Sequence, residues 1–267
     1  MAPPFPSPRR IILPATAHRP WPLPTGPWVG RQTWLDLLFA HWPVPAERLR
    51  PFVPPALTVQ EHEGTSWVGL VPFRMDNVSA RGLPNLPGLS AFPEMNLRLY
   101  VELDGRPGVW FISLDADKRP AVWGARLSLN LPYFAAAMSV TNKGDRVHYA
   151  SVRRGQGARV AFRARYWPTS AEQRHAQAGT LDHFLTERYC LYNQRRDGRI
   201  QRLDIHHLPW PLQPAAAEID ENTVAAAQGI TATEGAPLLH FARKLDVLAW
   251  PPKTVRPAGT ARAALSS

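Results

Sequence analysis

From Glu94 to Leu103 the chain alternates with a period of two. Met95, Leu97, Leu99 and Val101 fall on one side, and Glu94, Asn96, Arg98, Tyr100 and Glu102 on the other. That period predicts a β-strand, because successive side chains of an extended chain point to opposite faces. Asp104-Gly105 then marks a tight turn into Val109 to Leu114, so a hairpin is expected. The same reading predicts strands over Thr33 to Trp42, Trp67 to Phe73, Ala121 to Arg126, Val147 to Arg154, Val160 to Trp167, Ile200 to His207 and Leu238 to Trp250. A short helix is expected after Pro45, stopped by Pro51, Pro54 and Pro55. Ile219 to Gly229 reads as a helix with a glycine cap. Leu181 to Tyr192 supports two readings: Leu181, Phe184 and Leu185 suit a helix, whereas Tyr189, Leu191 and Tyr192 suit a strand. Arg81 to Phe92, rich in Gly and Pro, reads as a loop. Many short strands and few helices predict a mainly β (α+β) fold, closed or sandwiched.

Composition sharpens this at the ends. Of 29 prolines in 267 residues, nine fall in residues 1–30, which are expected to form an extended proline-rich arm with Trp21 and Trp28 as anchors. Residues 31–250 form the expected folded body, and 251–267 a flexible tail without periodicity. The ten Trp residues suit a bulky interior or a ligand cavity.

The formal charge is +10, which raises the question of an anionic partner. The positive residues are scattered, and no basic helix, zinc finger or aromatic RNA-binding motif accompanies them, so no nucleic acid is expected. No apolar run approaches the roughly 20 residues that span a bilayer, and Pro14 interrupts the short apolar stretch after Arg9-Arg10. No membrane association is expected, and the default location is cytoplasmic. One cysteine, Cys190, rules out an intrachain disulfide or a thiolate metal cluster. It sits in an aromatic stretch and reads as buried packing. His206 and His207 are adjacent, so on a strand they point apart, and no metal-binding His pattern occurs. Gly-x-Gly-x-x-Gly, Walker and Gly-x-Ser-x-Gly patterns are missing. No cofactor and no metal are expected.

Several segments in chain order carry a family resemblance: LLFAHWPVPAERLRPFVPPAL (37–57), WVGLVPFRM (67–75), FPEMNLRLYV (92–101), GVWFISLDA (108–116), AVWGARLSLNLPY (121–133), FLTERYCLY (184–192) and LLHFARKLDVLAW (238–250). Together the chain resembles the YqjF-like family of uncharacterised proteins, itself similar in fold to the acetoacetate decarboxylase superfamily. The resemblance implies a twisted, barrel-like antiparallel core, often assembled as homo-oligomers. Acetoacetate decarboxylases use a pocket lysine as Schiff-base nucleophile, supplied by a Phe-Pro-Lys-Lys run. The most similar place here is Leu131-Pro132-Tyr133-Phe134, and neither Tyr133 nor Phe134 can form an imine. The resemblance therefore implies the fold without the Schiff-base chemistry.

Two groups of residues could carry chemistry. The polar side of the 94–102 strand either faces water or presents Glu94, Asn96, Arg98 and Tyr100 to a barrel interior, where they would bind a polar ligand. The resemblance favours the interior, because the corresponding decarboxylase strand lines a cavity and carries an acidic residue. Arg126, after Gly124-Ala125, either grips a ligand carboxylate or pairs internally with Asp115 or Asp117. Glu187, Arg188, Tyr189 and Tyr192 form the second group, read either as ligand contacts or as an ion pair with aromatic packing. Tyr133 is either a pocket donor or a core residue. Two functions stay open: lyase- or hydratase-like chemistry on a small organic or keto acid, with Glu94 as acid or base, or a non-catalytic small-molecule-binding protein.

Overall fold

The computed structural model describes residues 12–86, 88, 90–117, 130–155, 157–231 and 235–256. The chain is mainly β. Its strands are β1 (Gly30–Val44), β2 (Thr58–Val59), β3 (Ser66–Ala80), β4 (Phe92–Leu103), β5 (Arg106–Ala116), β6 (Tyr133–Lys143), β7 (Arg146–Arg153), β8 (Ala161–Pro168), β9 (Cys190–Gln194), β10 (Ile200–His206), β11 (Gln213–Asn222), β12 (Leu238–Ala249) and β13 (Lys253–Arg256). Two short α-helices, Ala46–Leu49 and Leu181–Thr186, lie between strands.

Nine strands close on themselves in the order β5-β6-β7-β8-β11-β12-β1-β3-β4, with β4 returning to β5. The β5–β6 pair is parallel and the others are antiparallel. A second route bridges the same sheet. β9 pairs with β5, β10 with β9, and the end of β10 with β12. The strands β12, β1, β3, β4 and β5 are therefore common to two enclosures, and both their faces are covered. Leu38, Leu70, Leu97 and Leu99 point into the nine-stranded barrel, against Tyr149, Phe162, Tyr166 and Phe241. Their neighbours Leu37, Phe39, Val71 and Phe73 point the other way, against Leu114, Trp210 and Val247. Strands covered on both faces lose the contrast between apolar and polar sides, and β4 is buried almost throughout.

Local chemistry sets the turns. Asp104 (φ 51°) and Gly105 (φ 75°) both take left-handed backbone in the two-residue connection between Leu103 and Arg106, the geometry a twisted hairpin needs. The expected division of 181–192 resolves into both readings at once: a helix over Leu181–Thr186, capped by the Thr180 hydroxyl, then strand β9.

Three expectations are corrected. Ile219 to Gly229 is not a helix: Gln213–Asn222 is β11, paired with β8. Ion pairs from Arg165 to Glu218 and Asp220, and from Arg159 to Glu221, run across that pairing. Over 219–222 cross-strand pairing with β8 outweighs the local helix preference. Only Ala226–Gln228 turns, as a 3-10 helix closed by Gly229 at φ 82°. Second, the segment after Pro251 begins as β13 along β10 instead of as a loose tail. Third, β6 is a strand that the sequence pattern did not predict. The expected strand over Ala121 to Arg126 lies outside the described residues.

The arm packs on the body where it is described. Ile12 and Trp28 are buried with Leu248 and Trp250. Arg19 Nη1 donates to the Ile205 carbonyl at 2.8 Å, and the Trp21 ring lies 4.6 Å beneath the Arg106 guanidinium. No helix among the described residues is long and apolar enough to cross a membrane.

Candidate functional site

On the β9–β10 side of the shared sheet lies a cavity of about 270 Å³. Its walls are mostly apolar and aromatic, including Trp34, Phe73, Phe111 and Trp210. Glu94, Asn96 and Arg98 border it in succession, because β4 turns every second side chain toward this face. Each is at most 8% exposed. Glu102, the last of the same set, lies outside the cavity and accepts from Gln60 at 2.9 Å.

At one end the cavity is cationic. Arg98 donates through Nε and Nη2 to the Tyr100 hydroxyl (3.2 and 3.1 Å) and through Nη2 to the Leu185 carbonyl (3.1 Å). Tyr100 does not border the cavity. Its hydroxyl donates to Leu185 at 2.8 Å and lies 2.6 Å from His41 Nε2, so it holds Arg98 in place. His41 is kept neutral, first by burial and then by the Arg98 charge. Arg188 borders the cavity beside Arg98: the two guanidinium carbons lie 5.2 and 5.5 Å from the same Tyr100 ring centroid. Among the described residues neither arginine has a carboxylate in ion-pair range, and Arg188 Nε and Nη2 have no hydrogen-bond partner. Burial, then the neighbouring Arg98 charge, lowers the Arg188 guanidinium to about 10, with nearby Tyr100 opposing the shift, so it stays charged at neutral pH.

The other end is acidic but neutral. Tyr133, at the start of β6, donates its hydroxyl to Glu94 Oε2 at 2.8 Å. Burial pushes the Glu94 carboxyl up to about 8, the Tyr133 bond pulls it back, and the Asp115 charge adds to the rise. Asp115 is itself raised to about 6 by burial, against the pull of Arg153 at 2.8 Å. At neutral pH Glu94 is therefore mostly a protonated acid beside an un-ionised phenol, whose own ionisation burial suppresses.

This makes the fold pH-sensitive in a defined direction. Between an unfolded value near 4.5 and a folded value near 8, the native state binds the extra proton. Stability then falls as pH rises through that window. The expected result is that Glu94→Gln flattens the decline in chemical-denaturation stability between pH 5 and 8 relative to wild type. An unchanged slope would show that Glu94 ionises normally in the fold.

The second sequence group divides. Glu187 and Tyr189 do not border the cavity. Glu187 accepts from the Trp210 backbone N–H at 2.8 Å and from the Tyr189 hydroxyl, and Tyr189 stacks on His207 at 4.7 Å. They brace the wall that carries Trp210 and His207. Arg188, for which ligand contact and an ion pair were both open, borders the cavity, because the chain leaving the Leu181–Thr186 helix swings it over Tyr100. Arg126 lies outside the described residues. The internal partners considered for it are engaged elsewhere: Asp115 with Arg153 and Asp117 with Arg154. Cys190 borders the cavity, but burial pushes its thiol up to about 12, and its Sγ faces the Pro107 carbonyl. No group of three potential metal ligands occurs among the described residues. His206 and His207 bond to the backbone carbonyls of Ile12 and Arg188 respectively.

The model of the DUF2071 family, described as uncharacterized conserved proteins, matches residues 31–246. The chain belongs to that family. This DUF2071 protein is 50% identical over 229 residues to the uncharacterized protein YqjF of Bacillus subtilis (strain 168), covering 86% of this chain and 93% of that one. Solved structures share its fold at low identity. An acetoacetate decarboxylase-like enzyme from Sphingomonas wittichii RW1 matches with TM-score 0.58 and 14% identity, over 90% of this chain and 98% of that one. The enduracididine biosynthesis enzyme MppR, complexed with a condensation product of pyruvate and imidazole 4-carboxaldehyde, matches with TM-score 0.59 and 12% identity, over 86% and 90%. The acetoacetate decarboxylase of Legionella pneumophila matches with TM-score 0.53 and 17% identity, over 90% and 93%. The DUF2071 chain thus has an acetoacetate decarboxylase-like fold, as the sequence resemblance implied. No lysine is found among the described residues bordering its cavity.

Proposed function

We propose that the cavity binds a small organic acid and supports lyase- or hydratase-like chemistry on it without a Schiff base. The observation that carries this reading is the pair of buried arginines, Arg98 and Arg188, with no carboxylate partner among the described residues, on a mostly apolar cavity. A buried charge normally has a protein counter-ion. A guanidinium held without one suits an incoming carboxylate, which it can grip through two parallel bonds. Glu94, protonated and bordering the same cavity at its far end, is placed to give its proton to the electron pair left as an enolate when a bond next to a keto group remote from the gripped carboxylate breaks. In the reverse sense its carboxylate takes a carbon-bound proton at the start of a dehydration. The acetoacetate decarboxylase-like neighbours are enzymes, which supports a catalytic reading.

A non-catalytic binding role is the second reading. It is favoured by Tyr133, whose hydroxyl occupies the acidic end of a cavity with no lysine among its described lining residues.

A thermal-shift screen of the full chain against small carboxylic and keto acids tests the binding common to both. An acid at about 100 times its dissociation constant should add roughly 2.7 kcal/mol of stability, and Arg98→Ala should remove that shift. No shift with any acid of the panel would overturn both readings. Product formation followed by NMR then separates them.

A further inference from the structure

We propose that the site selects acids with an aromatic tail, an aryl-alkanoic acid of about ten non-hydrogen atoms, over two- and three-carbon acids. This rests on the acid-binding reading above and names its substrate class.

Phe39 lies under Arg98, with its ring centroid 5.1 Å from the guanidinium carbon. Trp210 meets Phe39 edge-on at 4.8 Å, Trp34 stacks on Trp210 at 5.7 Å, and Phe73 meets Trp34 edge-on at 5.8 Å. Phe73 is paired in register with Glu94 on the next strand. An unbroken row of rings therefore connects the cationic end to the acidic end, and three of its members, Trp34, Phe73 and Trp210, border the cavity.

Arg98 and Glu94 are four residues apart on β4, about 13 Å of extended backbone. A two- or three-carbon acid seated on the arginines leaves most of the aromatic row uncovered. The cavity of about 270 Å³ corresponds to roughly nine waters of liquid, which suits one ring with a short acid chain.

Trp210 borders the cavity, and its Nε1 is buried and has no hydrogen-bond partner among the described residues, so the row carries a free donor. A ring bearing one acceptor satisfies it, and flat rings pack on Trp and Phe in stacked or edge-on geometry.

Isothermal calorimetry on the full chain decides the matter with three probes: 3-phenylpropanoate, propanoate and 3-phenylpropanamide. The expected order is 3-phenylpropanoate at least tenfold tighter than propanoate, because its ring leaves water for an apolar wall. The amide should be at least thirtyfold weaker than the aryl acid, since it leaves both guanidiniums unpaired. Trp34→Leu should shrink the aryl-over-propanoate ratio toward one while keeping propanoate affinity; the wild-type ratio decides the proposal even if that variant fails to fold. Propanoate binding as tightly as 3-phenylpropanoate would overturn the aromatic selectivity and leave acid binding intact. Amide binding as tightly as the acid would overturn the acid reading itself, and absence of binding by all three probes would overturn both.

Discussion

Replacing Arg188 by methionine is expected to stabilise the ligand-free protein while abolishing its affinity for acids. The side chain is 7% exposed, charged at neutral pH and has two nitrogens without an acceptor among the described residues. Its neighbour Arg98 has the same sign. The rings of Phe184 and Tyr100, 4.6 and 5.2 Å from its guanidinium carbon, offset only part of that cost, at about 0.5–2 kcal/mol for a cation on a ring. Methionine keeps an unbranched apolar stem and removes the charge, and exchanging buried ionic groups for apolar ones has gained about 1–4 kcal/mol elsewhere. For a chain of this size each kcal/mol is worth about 2–4 °C, so calorimetry should show a melting temperature several degrees higher, and no further rise on adding acid. Arg153→Met is the contrasting control. It strips Asp115 of its partner at 2.8 Å and should destabilise by about 3–5 kcal/mol, or less to the extent that Asp115 protonates. Should Arg188→Met melt lower than wild type and still respond to acids, Arg188 would be a structural residue and the anion site would lie elsewhere.

That contrast also explains which parts of the site the sequence could reveal. The alternation along 94–102 is a property of consecutive residues, so Glu94, Asn96 and Arg98 were legible as one face. Whether the face met water or a cavity was not legible, because it depends on β9 and β10 bridging the shared sheet from nearly a hundred residues downstream. Arg188 was left undecided for a related reason. Between Glu187 and Tyr189 it reads either as a ligand contact or as one member of an ion pair; Glu187 turns to the Trp210 backbone and Tyr189 and leaves the arginine on the cavity. Trp34 and Trp210 were visible only as part of a tryptophan count. Their stacking joins positions 176 residues apart, and no local pattern encodes it. In the fold the same limit appears in β6 and β11. Their alanine-rich segments carry weak β preference, and they become strands through pairing with β7 and β8.

If the cavity is catalytic, the largest kinetic effect is expected from Glu94→Gln. Glutamine reproduces the shape of a protonated carboxyl and keeps an oxygen to accept from Tyr133, whose hydroxyl is 2.8 Å from Glu94 Oε2. The packing of the acidic end should survive, and acid affinity, set by Arg98 and Arg188, should change only a few-fold. What glutamine lacks is a transferable proton, and a general acid–base group of this kind contributes about 10²–10⁴ in rate. Turnover should fall by that factor with the Michaelis constant nearly constant, the pattern of an interaction used only in the transition state. The pH profile gives a second, independent reading. With the Glu94 carboxyl raised to about 8, its acid form predominates below that pH. Wild-type turnover that uses it as an acid should hold level through neutrality and decline above about 8, and the residual activity of the variant should lose that inflection. Turnover equal to wild type in the variant would remove Glu94 from the chemistry. Wild-type binding without any turnover would instead leave Glu94 and Tyr133 as a neutral hydrogen-bonding pair that recognises the ligand at the end of the cavity remote from its carboxylate.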